Sequence, residues 1–294
     1  MSTKIKKWLA VLAVVCLLLT ISPWLLLTFI LIRPLSYIPA TNLESIELRS
    51  WPEHDSIYAK TTFPFMVELD APPGKLLYFG CQHTADASDP QLVELERLWR
   101  DFRPTVALCE GRERMYRFAS RPNEGPYSES RLVRTLAYRT GVKLYTLEPE
   151  YRDEVAGLLR RHDAKDVATY FALRVYTSEA KGYQGDKNSL ASSLLKKRTD
   201  IEGLRNTFET LASFDEHWKS AFSDTLDWRE LPNTESHPKL LEIGNTSRQV
   251  RGEHMIATLV ELTRKGERVF AVVGASHVIR QEPSLRTLLT GNPN

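Results

Sequence analysis

Cysteine is scarce in this chain. Only three cysteines occur in 294 residues, and no two of them stand in a C-x-x-C spacing. Zinc knuckles and disulfide frameworks both need grouped cysteines, so the sequence excludes them. Cys81 and Cys109 lie at the ends of predicted strands, which makes a bridge between them geometrically possible. Buried free thiols are the favoured interpretation, because an isolated cysteine commonly packs as a small hydrophobic residue.

An excess of either charge is also missing. The sequence has 39 lysine and arginine residues against 37 aspartate and glutamate residues. Nucleic-acid binding relies on a strongly basic face or stripe, so this balance argues against a DNA or RNA partner. The length leaves room for a membrane segment and one domain of about 250 residues with a substantial core.

Charge is absent altogether from one long apolar run, Trp8–Ile32. The run exceeds the ~20 residues that a membrane-spanning helix needs, and it is longer than the apolar core of a cleaved signal peptide. Several lysines precede it, whereas Arg33 alone follows closely. The positive-inside rule predicts a single-pass membrane protein with a cytoplasmic amino terminus and an extracytoplasmic domain. A signal peptide cleaved near Ala40 is the alternative and leads to the same compartment.

Three segments follow from these patterns. Residues 1–33 form a cytoplasmic tip and transmembrane anchor, residues 34–70 a tether and edge segment, and residues 71–294 an α/β domain. In the domain, apolar strand-like runs alternate with amphipathic helices, which predicts a mixed or mostly parallel sheet flanked by helices. A charged helical insertion at about residues 151–225 is expected to be a solvated cover or lid for the sheet.

Local start and stop signals define the predicted elements. Asp89 and Pro90 open a helix, and Gly141 and Gly266 close two others. Strands are predicted at 65–69, 75–79, 105–109, 142–147 and 269–273, a loop at 226–247, and helices at 90–102, 130–138, 246–265 and after Pro283. Three histidines stand in polar segments and are expected at the surface: His162, His217 and His237.

Two copies of one short motif stand at the ends of predicted strands. Gly80-Cys81-Gln82-His83 follows the apolar run 76–79, and Gly274-Ala275-Ser276-His277 follows 269–273. Each copy is interpreted as a buried strand, a glycine where the backbone turns sharply, and a histidine at the carboxyl end of the strand. One G-x-x-H match is weak evidence. Two in the same context are more informative, because open α/β sheets bind ligands at that edge.

Acidic residues end two further predicted strands, Glu110 after 105–109 and Glu148 after 142–147. The carboxyl ends of parallel strands lie at one edge of the sheet, so His83, Glu110 and His277 are expected together. Glu148 is a possible second acid at this edge, and Arg251 lies on the predicted helix just before the strand 269–273. Two imidazoles and a carboxylate are ligands of a hydrolytic divalent-metal site, here manganese, cobalt or zinc. Without a metal, His83 acts as a general base oriented by Glu110, and His277 or Arg251 polarises the carbonyl.

Each of these residues also has a structural interpretation. A histidine at a strand end often only makes a hydrogen bond, and an acid before proline, such as Glu148, can cap the next helix. Arg251 can form a surface ion pair, and His254 on the same helix face is expected to pack on the sheet. The occurrence of two histidines and Glu110 at one predicted edge favours function.

The residues resemble the TraB/Tiki group, also called TraB/GumN, which is related to erythromycin esterases and ChaN-like haem-binding proteins. The resemblance covers about residues 75–290 and is carried by the two G-x-x-H motifs, the glutamate that ends Arg103–Glu110, and the helix motif Arg251–Met255. It implies an α/β domain whose site falls on His83, Glu110, Arg251 and His277. Tiki proteins are membrane-anchored, metal-dependent proteases, which agrees with the predicted anchor.

The chain departs from the family pattern at two places. Gly252 stands where an acid often follows the arginine, and Cys81-Gln82 replaces a threonine-containing dipeptide. These changes leave the four key residues intact and bear on the metal and the substrate.

Three functions are compatible with this sequence. The first is a membrane-anchored hydrolase of peptide, amide or ester bonds in a peptide or small-molecule substrate, which the complete His/Glu/His/Arg set favours. The second is a ChaN-like protein that binds haem or another ligand without turnover. The third is a membrane-tethered interaction module that uses the charged helical region.

Overall fold

The computed structural model describes residues 34–40, 43, 46–112 and 128–291. They form two compact units. One comprises the described residues up to Glu148 and from Ile256 onward, and the other runs from Pro149 to Met255. The predicted span Trp8–Ile32 lies outside the described residues. Among those that are described, no helix combines the length and the apolar character that crossing a bilayer requires.

A six-stranded sheet forms the centre of the first unit. Its strands are β1 (Leu35–Ser36), β2 (Phe65–Ala71), β3 (Gly74–Cys81), β4 (Val106–Cys109), β5 (Lys143–Thr146) and β6 (Arg268–Gly274). In space their order is β1-β5-β4-β6-β3-β2, and every neighbouring pair is parallel except β2 and β3. The predicted α/β fold with a mostly parallel sheet is confirmed.

The strand order brings three carboxyl ends side by side. β6 lies between β3 and β4, and the register pairs Cys81 with Gly274 and Cys109 with Val272. β4 is buried throughout and β6 is buried after its first residue, as is typical of parallel strands covered on both faces. The residues that follow these strands therefore share one edge of the sheet.

Within the described residues, four helices belong wholly to the first unit. They are α1 (Trp51–Tyr58), α2 (Pro90–Phe102), α3 (Glu129–Thr140) and α9 (Ala275–Thr290). The predicted signals are confirmed: Asp89 Oδ1 accepts a hydrogen bond from the N–H of Gln91 at 2.9 Å at the start of α2, and Gly141 ends α3 with φ 69°. α2 buries Leu95 and Trp99 in the core that it shares with the sheet.

Helices also build the second unit, as predicted for residues 151–225. They are α4 (Tyr151–Leu158), α5 (Ala164–Glu179), α6 (Lys187–Thr199), α7 (Leu211–Ala221) and α8 (Pro238–Arg264), of which the residues up to Met255 belong to this unit. The unit has an apolar core of its own. Its largest buried side chains include Phe171, Tyr176 and Trp228. The charged stretch of sequence thus encloses an apolar centre.

The predicted loop at 226–247 is wrong in its second half. α8 begins at Pro238 and not near residue 246, because proline is well accepted in the first turn of a helix, where its missing N–H has no helical partner. Gly244 lies inside α8, where an added Cβ would meet the ring of Tyr170 at 3.4 Å. A contact of that length is an ordinary van der Waals distance, so Gly244 lies in the helix without marking a loop.

The predicted short helix after Pro283 is also wrong, since α9 runs unbroken from Ala275 to Thr290 with Pro283 inside it. Proline in a helix leaves the carbonyl four residues earlier without its N–H donor. That carbonyl belongs to Ile279, and Arg49 Nη1 donates a hydrogen bond to it at 2.6 Å. A residue far away in sequence thus compensates for the break.

The segment predicted as a tether supplies both edge strands of the sheet, β1 and β2, in agreement with the predicted edge strand at 65–69. α1 has no counterpart among the predicted elements. The helix has a capping box in which the N–H of Glu53 donates to Ser50 Oγ and the N–H of Ser50 donates to the Glu53 carboxylate. Pro52 therefore lies in the first turn, where proline favours a helix.

Candidate functional site

The loop after β3 presents His83 to solvent and is fixed on both sides. The N–H of Gln82 donates to Gln91 Oε1 at 2.9 Å, and Gln91 Nε2 donates back to the carbonyl of Gln82. On the other side, the N–H of Thr84 donates to Glu129 Oε1 at 2.9 Å. The His83 side chain between these contacts is 66% exposed. A rigid loop thus holds an accessible imidazole at the carboxyl edge.

The two motif glycines are required for close approach. A Cβ on Gly80 would lie 2.8 Å from the carbonyl oxygen of Phe65 and 2.9 Å from Ala275 Cα, and one on Gly274 would lie 2.9 Å from His83 Nε2. Neither glycine has a positive φ; the predicted turn is present at Gly274, where β6 passes directly into α9, and absent at Gly80, which lies within β3. Gly80 is needed because backbone atoms come too close for a side chain, whereas at Gly274 the close atom belongs to the side chain of His83.

Glu110 lies between the two motif histidines at the end of β4. Its Oε2 accepts a hydrogen bond from the N–H of Gly274 at 2.9 Å and lies 3.7 Å from His83 Nε2. Its Oε1 lies 3.4 Å from His277 Nε2. The predicted meeting of the two histidines with Glu110 is therefore present in the structure. His277 reaches the edge from the first turn of α9 and not from the strand itself.

Charge is unevenly distributed over this group. Burial alone would raise the pKa of Glu110, but the hydrogen bond and charge of His277, the N–H of Gly274 and the charge of His83 outweigh it and lower the pKa to about 2. The carboxyl group is therefore ionised at neutral pH. The pKa of His83 is raised, first by its hydrogen bond to Glu129 and also by the charges of both glutamates, although burial opposes the shift. The two glutamates thus favour the protonated form of His83.

Cys81 and Glu129 join the site without having been predicted as part of it. Glu129 is the first residue of α3 and is 2% exposed, and its Oε2 lies 3.5 Å from His83 Nδ1. Cys81 Sγ lies 3.9 Å from the same nitrogen. Burial, followed by the charges of Glu129 and Glu110, raises the pKa of the Cys81 thiol. Cys81 and Cys109 are both free and buried, which confirms the favoured interpretation of these thiols.

These three side chains can hold a metal ion. Among the described residues, the group of potential ligands whose atoms all lie within 4.8 Å of one another is Cys81, His83 and Glu129. The predicted set is different, because His83 and His277 approach opposite oxygens of Glu110. Glu129 follows the helix cap Ser128, and acids in the first turn of a helix are common for electrostatic reasons alone. The sequence therefore carries no specific signal for its role.

Glu148 belongs to the same unit and is nearly buried, at 4% exposure. Its Oε2 lies 3.8 Å from Arg112 Nη2. The suggestion that it caps the next helix is wrong, because the N-cap of α4 is Glu150. Burial, with added contributions from the charges of Glu110 and Glu148, raises the pKa of the Tyr78 phenol well above its usual value. Glu148 thus acts on the same buried region as Glu110, and its role as a second acid stays a prediction.

Arg251 belongs to the second unit, on α8. There its charge acts on Arg174, whose guanidinium is paired with Glu154 Oε1 at 3.1 Å. Its assignment to the site rests on sequence and stays a prediction. The structure therefore brings together His83, Glu110 and His277 within one unit and adds Cys81 and Glu129 to them.

Comparison of the chain with models of known protein families, with curated proteins and with solved structures found no match.

Proposed function

We propose that this protein is a hydrolase that cleaves peptide, amide or ester bonds at the edge where Glu110 lies between His83 and His277. One observation carries the proposal: an ionised, mostly buried carboxylate lies 3.7 Å from one imidazole and 3.4 Å from another. A general base needs a partner that orients it, and a reacting carbonyl needs a second polar group nearby. This arrangement supplies both.

The residues have distinct roles in this proposal. Glu110 cannot donate a proton near neutral pH, because its pKa is about 2; it orients the imidazoles and stabilises positive charge on His83. His83, with its exposed side chain, faces water and substrate. His277, whose side chain is 22% exposed, stabilises the developing oxyanion by donating a hydrogen bond.

A divalent ion such as manganese, cobalt or zinc fits the donor chemistry of the edge, which offers imidazole and carboxylate groups. His83, Glu110 and His277 are the proposed ligands by the family resemblance. When bound, the ion would lower the pKa of a coordinated water and polarise a carbonyl group. The resemblance to TraB/Tiki proteins and the run Trp8–Ile32 support a membrane-anchored enzyme with its domain on the extracytoplasmic side.

The test is hydrolysis by the full-length chain in detergent, measured with fluorogenic peptides and chromogenic esters. His83→Ala and His277→Ala should each reduce kcat/KM by about 10² to 10⁴, the usual contribution of one acid–base group. The matched control is His162→Ala in the second unit, where the imidazole bonds Thr246 Oγ1 and activity should persist. Circular dichroism of each variant separates loss of chemistry from loss of fold.

Two outcomes would overturn the proposal. The first is full activity in either motif-histidine variant. The second is absence of turnover on every substrate together with a Soret band on adding haem, which would identify a ligand-binding protein with histidine as an axial ligand.

A further inference from the structure

We propose that Cys81 Sγ, His83 Nδ1 and Glu129 Oε2 form a zinc-type metal site on the side of His83 opposite Glu110. This inference deepens the proposed hydrolase, on which its catalytic meaning rests, by naming a ligand set that differs from the predicted one. It is carried by the spacing, the chemistry and the burial of the three side chains.

The spacing fits a shared ion better than direct hydrogen bonds. Typical zinc–ligand distances in tetrahedral geometry imply separations of roughly 3.6 Å between sulfur and nitrogen and roughly 3.4 Å between nitrogen and oxygen. The observed distances are 3.9 Å from Cys81 Sγ to His83 Nδ1 and 3.5 Å from that nitrogen to Glu129 Oε2. A charge-assisted N–H···O bond is shorter, at about 2.7–2.9 Å. The groups thus surround a space that a small cation can occupy.

The donor set is also chemically selective. Thiolate, imidazole and carboxylate together suit zinc and cobalt, whereas magnesium and calcium take oxygen ligands. Binding of M²⁺ replaces the Cys81 S–H bond with an M–S bond and releases the thiol proton to solvent, with no change in oxidation state. The thiol then loses its contact with the Val273 carbonyl at 3.1 Å. Three protein ligands leave a position for water, as in catalytic zinc sites.

Supporting contacts hold each ligand in place. Glu129 Oε1 accepts the N–H of Thr84, so Oε2 stays directed at His83. His83 Nε2 faces Glu110 Oε2 at 3.7 Å, and metal-bound histidines commonly direct their second ring nitrogen at a carboxylate. Cys81 is fixed by β3, at 2% exposure. The exposed imidazole of His83 gives the ion a route from solvent.

Cobalt(II) titration of the full-length chain tests the site under anaerobic conditions. We expect about one ion per chain and a thiolate-to-cobalt charge-transfer band in the near ultraviolet. Cys81→Ser should abolish the band, and Glu129→Gln should weaken binding at least about tenfold. The matched control is Cys109→Ser, which removes the second buried thiol of the described residues, on β4, separated from β3 by β6, and should retain the band. Glu129→Gln keeps the test decisive if Cys81→Ser fails to fold.

Cobalt bound without the band, or no cobalt bound by the folded chain, overturns the inference. Hydrolysis by a chain that lacks the band would leave the proposed function standing and remove this site. A Cys81-dependent band in a chain that hydrolyses no substrate would support this metal site and remove the proposed function. The two proposals therefore fail separately.

Discussion

The core of the second unit and the sheet edge of the first unit arrange their charged groups differently. In the second unit the pairs are short: Asp166 lies 2.7 Å from Lys239 and 2.9 Å from His217, and Glu154 lies 3.1 Å from Arg174. Such distances are those of completed hydrogen-bonded ion pairs. The charges satisfy one another, which is the behaviour of a structural core.

At the sheet edge of the first unit the distances are longer. His83 and His277 lie 3.4–3.7 Å from Glu110 oxygens, and Glu129 lies 3.5 Å from His83. These contacts are long for hydrogen bonds between such groups, so a water, a substrate atom or an ion can enter. Short, completed pairs are thus typical of a structural core, whereas convergent side chains at longer distances are typical of a binding or catalytic site.

The largest expected effect is on stability, in the second unit. Arg174→Met should lower the free energy of unfolding by about 3 kcal/mol, because it leaves the fully buried Glu154 without its closest cation. Guanidinium denaturation followed by circular dichroism measures this change. The rate of hydrolysis per folded molecule should stay close to that of the unmodified chain. A decrease in the free energy of unfolding below about 0.5 kcal/mol would show that the pair does not stabilise the fold, and it would contradict the distinction between the two regions.

The next effect concerns pH. The folded-state pKa of Glu110 is lowered from 4.5 to about 2, so its contribution is present above pH 4.5 and is lost as the pH falls through about 2. The free energy of unfolding, measured between pH 2 and 7, should therefore decrease less on acidification in Glu110→Gln than in the unmodified chain. The exposed Glu96→Gln is the control and should follow the unmodified chain; an unchanged dependence in Glu110→Gln would refute the assignment.

Much of this architecture could be predicted from local sequence signals. Short apolar runs identified the strands, and Asp89, Pro90 and Gly141 marked helix ends, because capping is a local interaction. The edge that joins the two motif histidines and Glu110 followed from the rule that parallel strands end together. These inferences needed no knowledge of distant contacts.

What could not be predicted depends on long-range contacts. Pro283 lies inside a helix because Arg49 supplies the missing donor, and Glu129 enters the site because α3 packs beside the loop after β3. His217 and His237 were expected at the surface and instead pack against Phe222. Polar flanking sequence predicted exposure there, and tertiary packing overrode it.

A smaller effect compares the two motif glycines. Gly80→Ala should destabilise the fold by about 1–3 kcal/mol, because its Cβ meets backbone atoms of Phe65 and Ala275 that cannot yield. Gly274→Ala meets the exposed side chain of His83, which can rotate away, so stability should fall by less than about 1 kcal/mol while activity is lost. Thermal unfolding and hydrolysis measure both. Equal destabilisation by the two variants would contradict the distinction.

The smallest expected effect tests the comparison directly. His83→Ala should change the free energy of unfolding by no more than about 0.5 kcal/mol, because the side chain is 66% exposed. The matched variant, His217→Ala, removes a histidine of 15% exposure that bonds the buried Asp166, and should cost about 1–3 kcal/mol. Denaturation at pH 7 measures both. If the costs are equal, the open contacts at the sheet edge stabilise the fold as the closed pairs do, and longer distances would no longer distinguish a site from a core.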